Sequence, residues 1–108
     1  NNDTHHLMNS KIFKKMKKTS FLINTSRGKI VNEKQLVTAL KTKEIQGAGM
    51  DVYESEPVHR DSLLLKLENV VLAPHVGSST NETRQKMSDI TVKNLVFALE
   101  GKKLLYSV

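Results

Sequence analysis

Phe21-Leu22-Ile23-Asn24-Thr25-Ser26-Arg27-Gly28-Lys29-Ile30-Val31-Asn32-Glu33-Lys34-Gln35-Leu36 changes its period part-way along. Its apolar start, Phe21-Leu22-Ile23, reads as a buried strand, and Ser26-Arg27-Gly28 reads as a turn. Asn32 followed by Gln35 resembles a capping box, and Leu36, Val37 and Leu40 supply one face of a helix predicted to end near Lys43. Two further runs repeat the theme. Gly47-Ala48-Gly49-Met50-Asp51-Val52-Tyr53 reads as a second strand whose glycines permit close backbone approach, followed by an acidic stretch closed by Pro57. Asn69 to Ala73 reads as a third, apolar throughout as strands buried on both faces are, and it stops at Pro74.

Helical patterns flank these strands. Asn9 or Ser10 is placed to cap a short helix over residues 10 to 17, and Ser79 with Glu82 to open a long one from about residue 80 to residue 100, with Gly101 as its C-cap. Val92, Leu95, Val96, Phe97, Ala98 and Leu99 wrap most of the way round that last helix, which predicts burial on more than one side. Strands separated by helical connections require parallel pairing, so the fold class is α/β. Three strands cannot bury the final helix fully, and sheet neighbours are expected outside this chain.

A chain of 108 residues is the size of one domain. Its 38% hydrophobic and 26% charged residues are ordinary for a globular protein and exclude a disordered tail, while the lack of a long apolar run excludes a membrane span. Without cysteine there is no disulfide framework, no thiolate metal site and no thiol nucleophile, and a cytoplasmic setting is expected. Asn1 opens the chain with no signal-peptide pattern after it, and the sequence reads as a piece of something longer. The net charge of +6 raises the question of nucleic acid. Five of the seventeen Lys and Arg residues lie between Lys11 and Lys18, where a helix would gather most of them on a solvated face opposite Ile12, Phe13 and Met16. No aromatic side chains interleave with them, so no nucleic-acid partner is assigned.

Ligands of open α/β sheets sit beyond the carboxyl ends of the strands. Arg27 follows the first strand, Asp51 to Glu56 finish and follow the second, and His75 follows the third. A guanidinium grips a carboxylate or carbonyl in two places, an imidazole exchanges protons near neutrality, and a carboxylate beside it fixes its tautomer. Together they suit a keto acid. On spacing alone, an arginine there also fits a salt bridge or cap, the acidic loop a solvated one, and His75 a satisfied core histidine. His5, His6, His59 and His75 form no recognisable metal set. His5 and His6, close to the start of the chain, are given no catalytic role.

Three stretches in this order, Leu22 to Glu33, Gly47 to Pro57 and Asn69 to Thr80, closely resemble the D-isomer-specific 2-hydroxyacid dehydrogenases, and Thr4-His5-His6-Leu7 also looks like a family stretch. The resemblance implies the C-terminal half of a doubly wound, Rossmann-like NAD(P)-binding domain plus its long return helix, with residues 1–108 forming a single incomplete domain. It implies that Arg27 binds the substrate carboxylate and carbonyl, that Glu56 hydrogen-bonds His75, and that His75 gives the proton as hydride reaches the keto carbon. It further implies that Asp51 holds the nicotinamide carboxamide, with Thr25, His75 and Gly77 also beside the cofactor. The Ser78-Ser79-Thr80, Thr83-Arg84 and Met87 positions are most similar to the glyoxylate and hydroxypyruvate reductases. The parent would then act on a small 2-keto or 2-hydroxy acid, with NAD or NADP, as a homodimer.

The chain departs from a complete dinucleotide fold in one respect. Its only Gly-x-Gly, Gly47-Ala48-Gly49, meets Val52 at the third position and opens a strand instead of a helix. The phosphate-binding loop is therefore absent, as is the residue that would choose NAD or NADP, and the 108 residues by themselves are expected to bind the cofactor weakly. Two other readings compete: a dehydrogenase-like corepressor that uses the cofactor fold to bind partners, and a fragment without activity.

Overall fold

The computed structural model describes residues 2–106. They form two compact units, one running to Val76 and the other starting at Gly77. The first unit contains α1 (Ser10–Phe13), β1 (Phe21–Asn24), α2 (Glu33–Lys41), β2 (Gly47–Met50) and β3 (Val70–Leu72). The second contains α3 (Asn81–Leu99).

The strands form one parallel sheet in the order β1-β2-β3, which bears out the α/β class. Phe21 pairs with Gly47 and Asn24 with Met50, and Met50 pairs in turn with Leu72, so all three chains leave the sheet at one edge. Side chains alternate between the faces. Leu22, Ala48, Met50, Val70 and Leu72 pack with Phe13, Leu36, Val37, Leu40, Ile45 and Leu64 into the core. Each fully buried Leu or Phe of this kind contributes about 1.5–3 kcal/mol.

The first strand, expected to be buried, and the third, expected to be buried on both faces, are each open on one face. Phe21, Ile23 and Val71 are 60%, 67% and 74% exposed, because α2 and the loops of this unit cover only the opposite face. Close approach at the glycines of β2 is found at Gly47, where a Cβ would stand 2.8 Å from the Asn69 carbonyl and 2.9 Å from the Phe21 ring.

The short first helix is shorter than its pattern implies. Asn9 caps it by accepting from Lys11 N–H, but α1 stops at Phe13 and the chain continues through hydrogen-bonded turns to Met16. Phe13 is fully buried, Met16 packs against the core, and the neighbouring lysines lie in solvent. Asn32 caps α2 as predicted, its side chain accepting from Gln35 N–H. The reciprocal half of the box is not made. The Gln35 side chain accepts from Ser10 N–H instead, tying α2 to α1.

In the second unit the cap of α3 is Thr80, not Ser79. Its Oγ1 accepts from Thr83 N–H at 3.1 Å. Gly101, at φ 67°, ends the helix as predicted, with Lys102 N–H reaching back to the Phe97 carbonyl. No α3 side chain is buried within this unit, and Leu99 is 80% exposed. Asn94 holds the tail against the helix by accepting from Leu105 N–H and donating to the Tyr106 carbonyl. No helix among the described residues is long and apolar enough to cross a membrane.

Candidate active site

The exit from β1 is shaped by Asn24, which is almost fully buried. Its carboxamide oxygen accepts from Ser26 N–H, and its Nδ2 donates to the Arg27 carbonyl at 3.0 Å, closing a tight side-chain turn. Arg27 is exposed, with its guanidinium donating to the Ser26 carbonyl. Gly28 follows, buried against the chain that leaves β2. A Cβ at Gly28 would lie 1.8 Å from the Tyr53 carbonyl oxygen, so only glycine lets these backbones meet.

Beyond β2 the chain runs through Asp51, Val52 and Tyr53, all buried. The Tyr53 hydroxyl lies 2.7 Å from the Ala73 carbonyl and 3.1 Å from the Met50 carbonyl, bridging the ends of β3 and β2. Glu56, before a cis bond to Pro57, accepts from Tyr53 N–H through Oε1 and holds His75 Nδ1 at 2.8 Å through Oε2. That hydrogen bond, reinforced by the one from Tyr53, keeps the Glu56 carboxyl below the usual carboxylate range. Glu56 therefore stays ionised to lower pH than a free glutamate. An anionic acceptor on Nδ1 places the ring proton there and leaves Nε2 for exchange with a bound molecule.

His75 is one of three non-glycine residues with positive φ among the described residues, at 58°. The next backbone N–H, that of Val76, donates to Asp51 Oδ1 at 2.8 Å, so a buried carboxylate just after β2 secures the turn that presents the imidazole.

Arg27, Glu56 and His75 line one cavity of about 620 Å³, together with Gly28, Tyr53 and Glu54. Glu56 and His75 also line a smaller, apolar cavity of about 290 Å³ with Pro57, Val58, Leu72 and Pro74. The structure thus brings the three predicted catalytic side chains together at the carboxyl edge of the sheet. Asp51 stands behind His75 instead of lining either cavity, Thr25 is exposed outside both, and Gly77 belongs to the second unit.

Several residues at this edge were not anticipated as functional. Asn24 carried a readable signal, since Asn at a strand end with Ser two positions on is the pattern of a side-chain turn. His5 lines the larger cavity and stacks on His6 with ring centroids 3.8 Å apart. His6 Nε2 contacts Glu54 Oε1 at 2.7 Å, so the histidine pair is part of the packed edge. Among the described residues no cluster of His, Asp and Glu has the geometry to hold a metal.

The chain is 48% identical over 99 residues to glyoxylate/hydroxypyruvate reductase B of Cronobacter sakazakii, covering 92% of this chain and 31% of that protein. To the glyoxylate reductase of Korarchaeum cryptofilum it is 48% identical over 100 residues, with 93% and 30% covered. The chain thus spans about a third of the length of the curated relatives it matches. Among solved structures, the NADPH-dependent glyoxylate/hydroxypyruvate reductase of Sinorhizobium meliloti in complex with NADP and malonate superposes with a TM-score of 0.90 at 39% identity, covering all of this chain and 34% of that one. Residues 1–77 match the model of the D-isomer specific 2-hydroxyacid dehydrogenase NAD-binding domain. With parallel strands, a paired histidine and glutamate, and an arginine on one cavity, the chain belongs to the D-isomer-specific 2-hydroxyacid dehydrogenases.

Proposed function

We propose that this chain supplies the catalytic edge of an oxidoreductase that transfers hydride between NAD(P)H and a small 2-keto acid of the glyoxylate and hydroxypyruvate class. The observation that carries the reading is the 2.8 Å His75–Glu56 pair sharing one cavity with Arg27. The names of the relatives support the substrate class.

The strand ends leave a cavity lined by Arg27, Glu56 and His75 where the nicotinamide end of the cofactor would sit, with the buried Asp51 carboxylate outside its lining, behind His75. When bound, the cofactor supplies the hydride. This chain supplies the rest of the charge handling. Arg27 grips the carboxylate and polarises the keto oxygen, opposing the negative charge that builds there. As the carbon–oxygen π pair moves onto oxygen, His75 Nε2 delivers a proton to it, giving the hydroxyl. Glu56 steadies the imidazolium before the transfer and the correct tautomer after it. In the reverse direction the same nitrogen removes the hydroxyl proton. On the family resemblance, the whole enzyme is read as a cytoplasmic homodimer.

The test is steady-state reduction of glyoxylate and hydroxypyruvate by the whole enzyme with NADPH and with NADH, for wild type and Arg27→Lys. A point charge cannot copy a two-pronged grip, and one lost charge-assisted hydrogen bond is worth about 1.5–3 kcal/mol. The Michaelis constant for the keto acid is therefore expected to rise roughly 10- to 100-fold while cofactor affinity holds. Equal Michaelis constants for the two proteins would remove Arg27 from the site, and no turnover of any 2-keto acid would end the reading.

A further inference from the structure

Two glutamates outside the proposed catalytic set hold each other across the edge of the sheet. Glu33 opens α2, and Glu54 lies two residues before Glu56. The backbone N–H of Glu54 donates to Glu33 Oε1 at 2.6 Å, and the backbone N–H of Glu33 donates to Glu54 Oε1 at 3.1 Å. The exchange is reciprocal, each carboxylate capping the other residue's main chain. The Glu54 carboxylate also takes His6 Nε2 at 2.7 Å. Asn32 Oδ1 is committed to Gln35 N–H, so its Nδ2 is the atom facing His6 Nδ1 at 3.3 Å. The ring must accept there and donate from Nε2, which aims its proton at Glu54.

This arrangement is electrostatically costly. Burial lifts the Glu33 carboxyl above its usual range, and the neighbouring Glu54 charge lifts it further, against the lowering effect of the hydrogen bond from Glu54 N–H. A helix N-terminus wanting only an acidic first turn would have left Glu33 in solvent. What the pair accomplishes is mechanical. The segment from Arg27 to Glu33 is fastened to the segment from Asp51 to Glu56 at two points, the Gly28 contact with Tyr53 and the Glu33–Glu54 exchange. Arg27 stands at one end of the first segment, and Glu56, holding His75, at one end of the second.

We propose that Glu33 and Glu54 are positioning residues that set the separation between the arginine gripping the substrate and the histidine giving the proton. The inference rests on the dehydrogenase reading above. Hydride and proton transfer need the keto acid held within a near-attack geometry, and a misplacement of about 1 Å costs about 100-fold.

The experiment uses the whole enzyme with NADPH and glyoxylate, measuring kcat and KM separately, cofactor affinity by fluorescence titration, and thermal unfolding. Glu33→Ala removes the acceptor for Glu54 N–H and is expected to lower kcat/KM about 10- to 100-fold, most of it in kcat, with NADPH affinity unchanged. Glu33→Gln keeps an oxygen at the same reach and is expected to restore most of the loss. Glu33→Asp keeps the charge but falls a methylene short, and is expected to resemble the alanine variant. If the alanine variant does not fold, the glutamine and aspartate variants carry the test: an active Asp and an impaired Gln would overturn the proposal. So would a folded Glu33→Ala enzyme with wild-type kcat/KM. A wild-type enzyme inactive on every 2-keto acid would overturn the dehydrogenase reading and this inference with it, whereas an active wild type and an unaffected Glu33→Ala overturn the inference alone.

Discussion

His75→Ala in the whole enzyme is expected to lower kcat for 2-keto acid reduction by about 10²- to 10⁴-fold, the range for loss of a general acid. Cofactor binding should persist, because no backbone hydrogen bond runs through the imidazole; its partner is the Glu56 carboxylate at 2.8 Å. Two consequences would identify the lost group as the proton donor. The limb of the pH–rate profile that follows imidazole ionisation should vanish, and the residual rate should no longer depend on Glu56. Single-turnover measurement of NADPH oxidation separates the chemical step from product release. A variant retaining more than about a tenth of the wild-type chemical rate would be inconsistent with general-acid catalysis by His75.

Gly28→Ala is expected to cost about 3 kcal/mol or more in unfolding free energy, at or beyond the upper end of ordinary overpacking. The added methyl would stand 1.8 Å from the Tyr53 carbonyl oxygen, 1.9 Å from its carbon and 2.6 Å from Glu54 N. These are backbone atoms, so no side chain can rotate away. The strand exits must separate instead, pulling the Arg27 segment from the Glu56 segment. Denaturant unfolding measures the stability loss, and the variant that still folds should also show a raised KM. A loss below about 1 kcal/mol would mean that the two backbones can part without penalty.

The sequence was readable where local pattern decides the outcome. Apolar runs marked the three strands, Asn32 announced the start of α2 and Gly101 the end of α3, because each rests on residues within a few positions. The family pattern singled out Arg27, Glu56 and His75, which line one cavity, while their catalytic roles are the proposal made above. The sequence misled where a neighbour distant along the chain competes. Gln35 abandons its box for Ser10 N–H, 25 positions away, and the Glu33–Glu54 exchange spans 21. At the start of α3 the difference is local instead: Thr80, not Ser79, is the cap, its hydroxyl accepting from Thr83 N–H three residues on. The run Val70-Val71-Leu72 looked buried on both sides, yet the alternation of a strand leaves Val71 facing outward wherever nothing in its own unit covers that face. An acidic loop such as Asp51 to Glu56 reads as solvated until the packing of Gly28 against it is known.

The hydroxyl of Tyr53, stretched between the carbonyls of Met50 and Ala73, gives the molecule an optical handle on its own catalytic edge. The chain holds no tryptophan and only two tyrosines, so half of its phenol absorbance comes from this joint. Burial, aided by the charge of Asp51, delays ionisation of Tyr53 beyond that of a free phenol. An alkaline absorbance titration of the unmodified protein therefore carries a late-rising phenolate signal that tracks whether the ends of β2 and β3 remain joined, with no label attached.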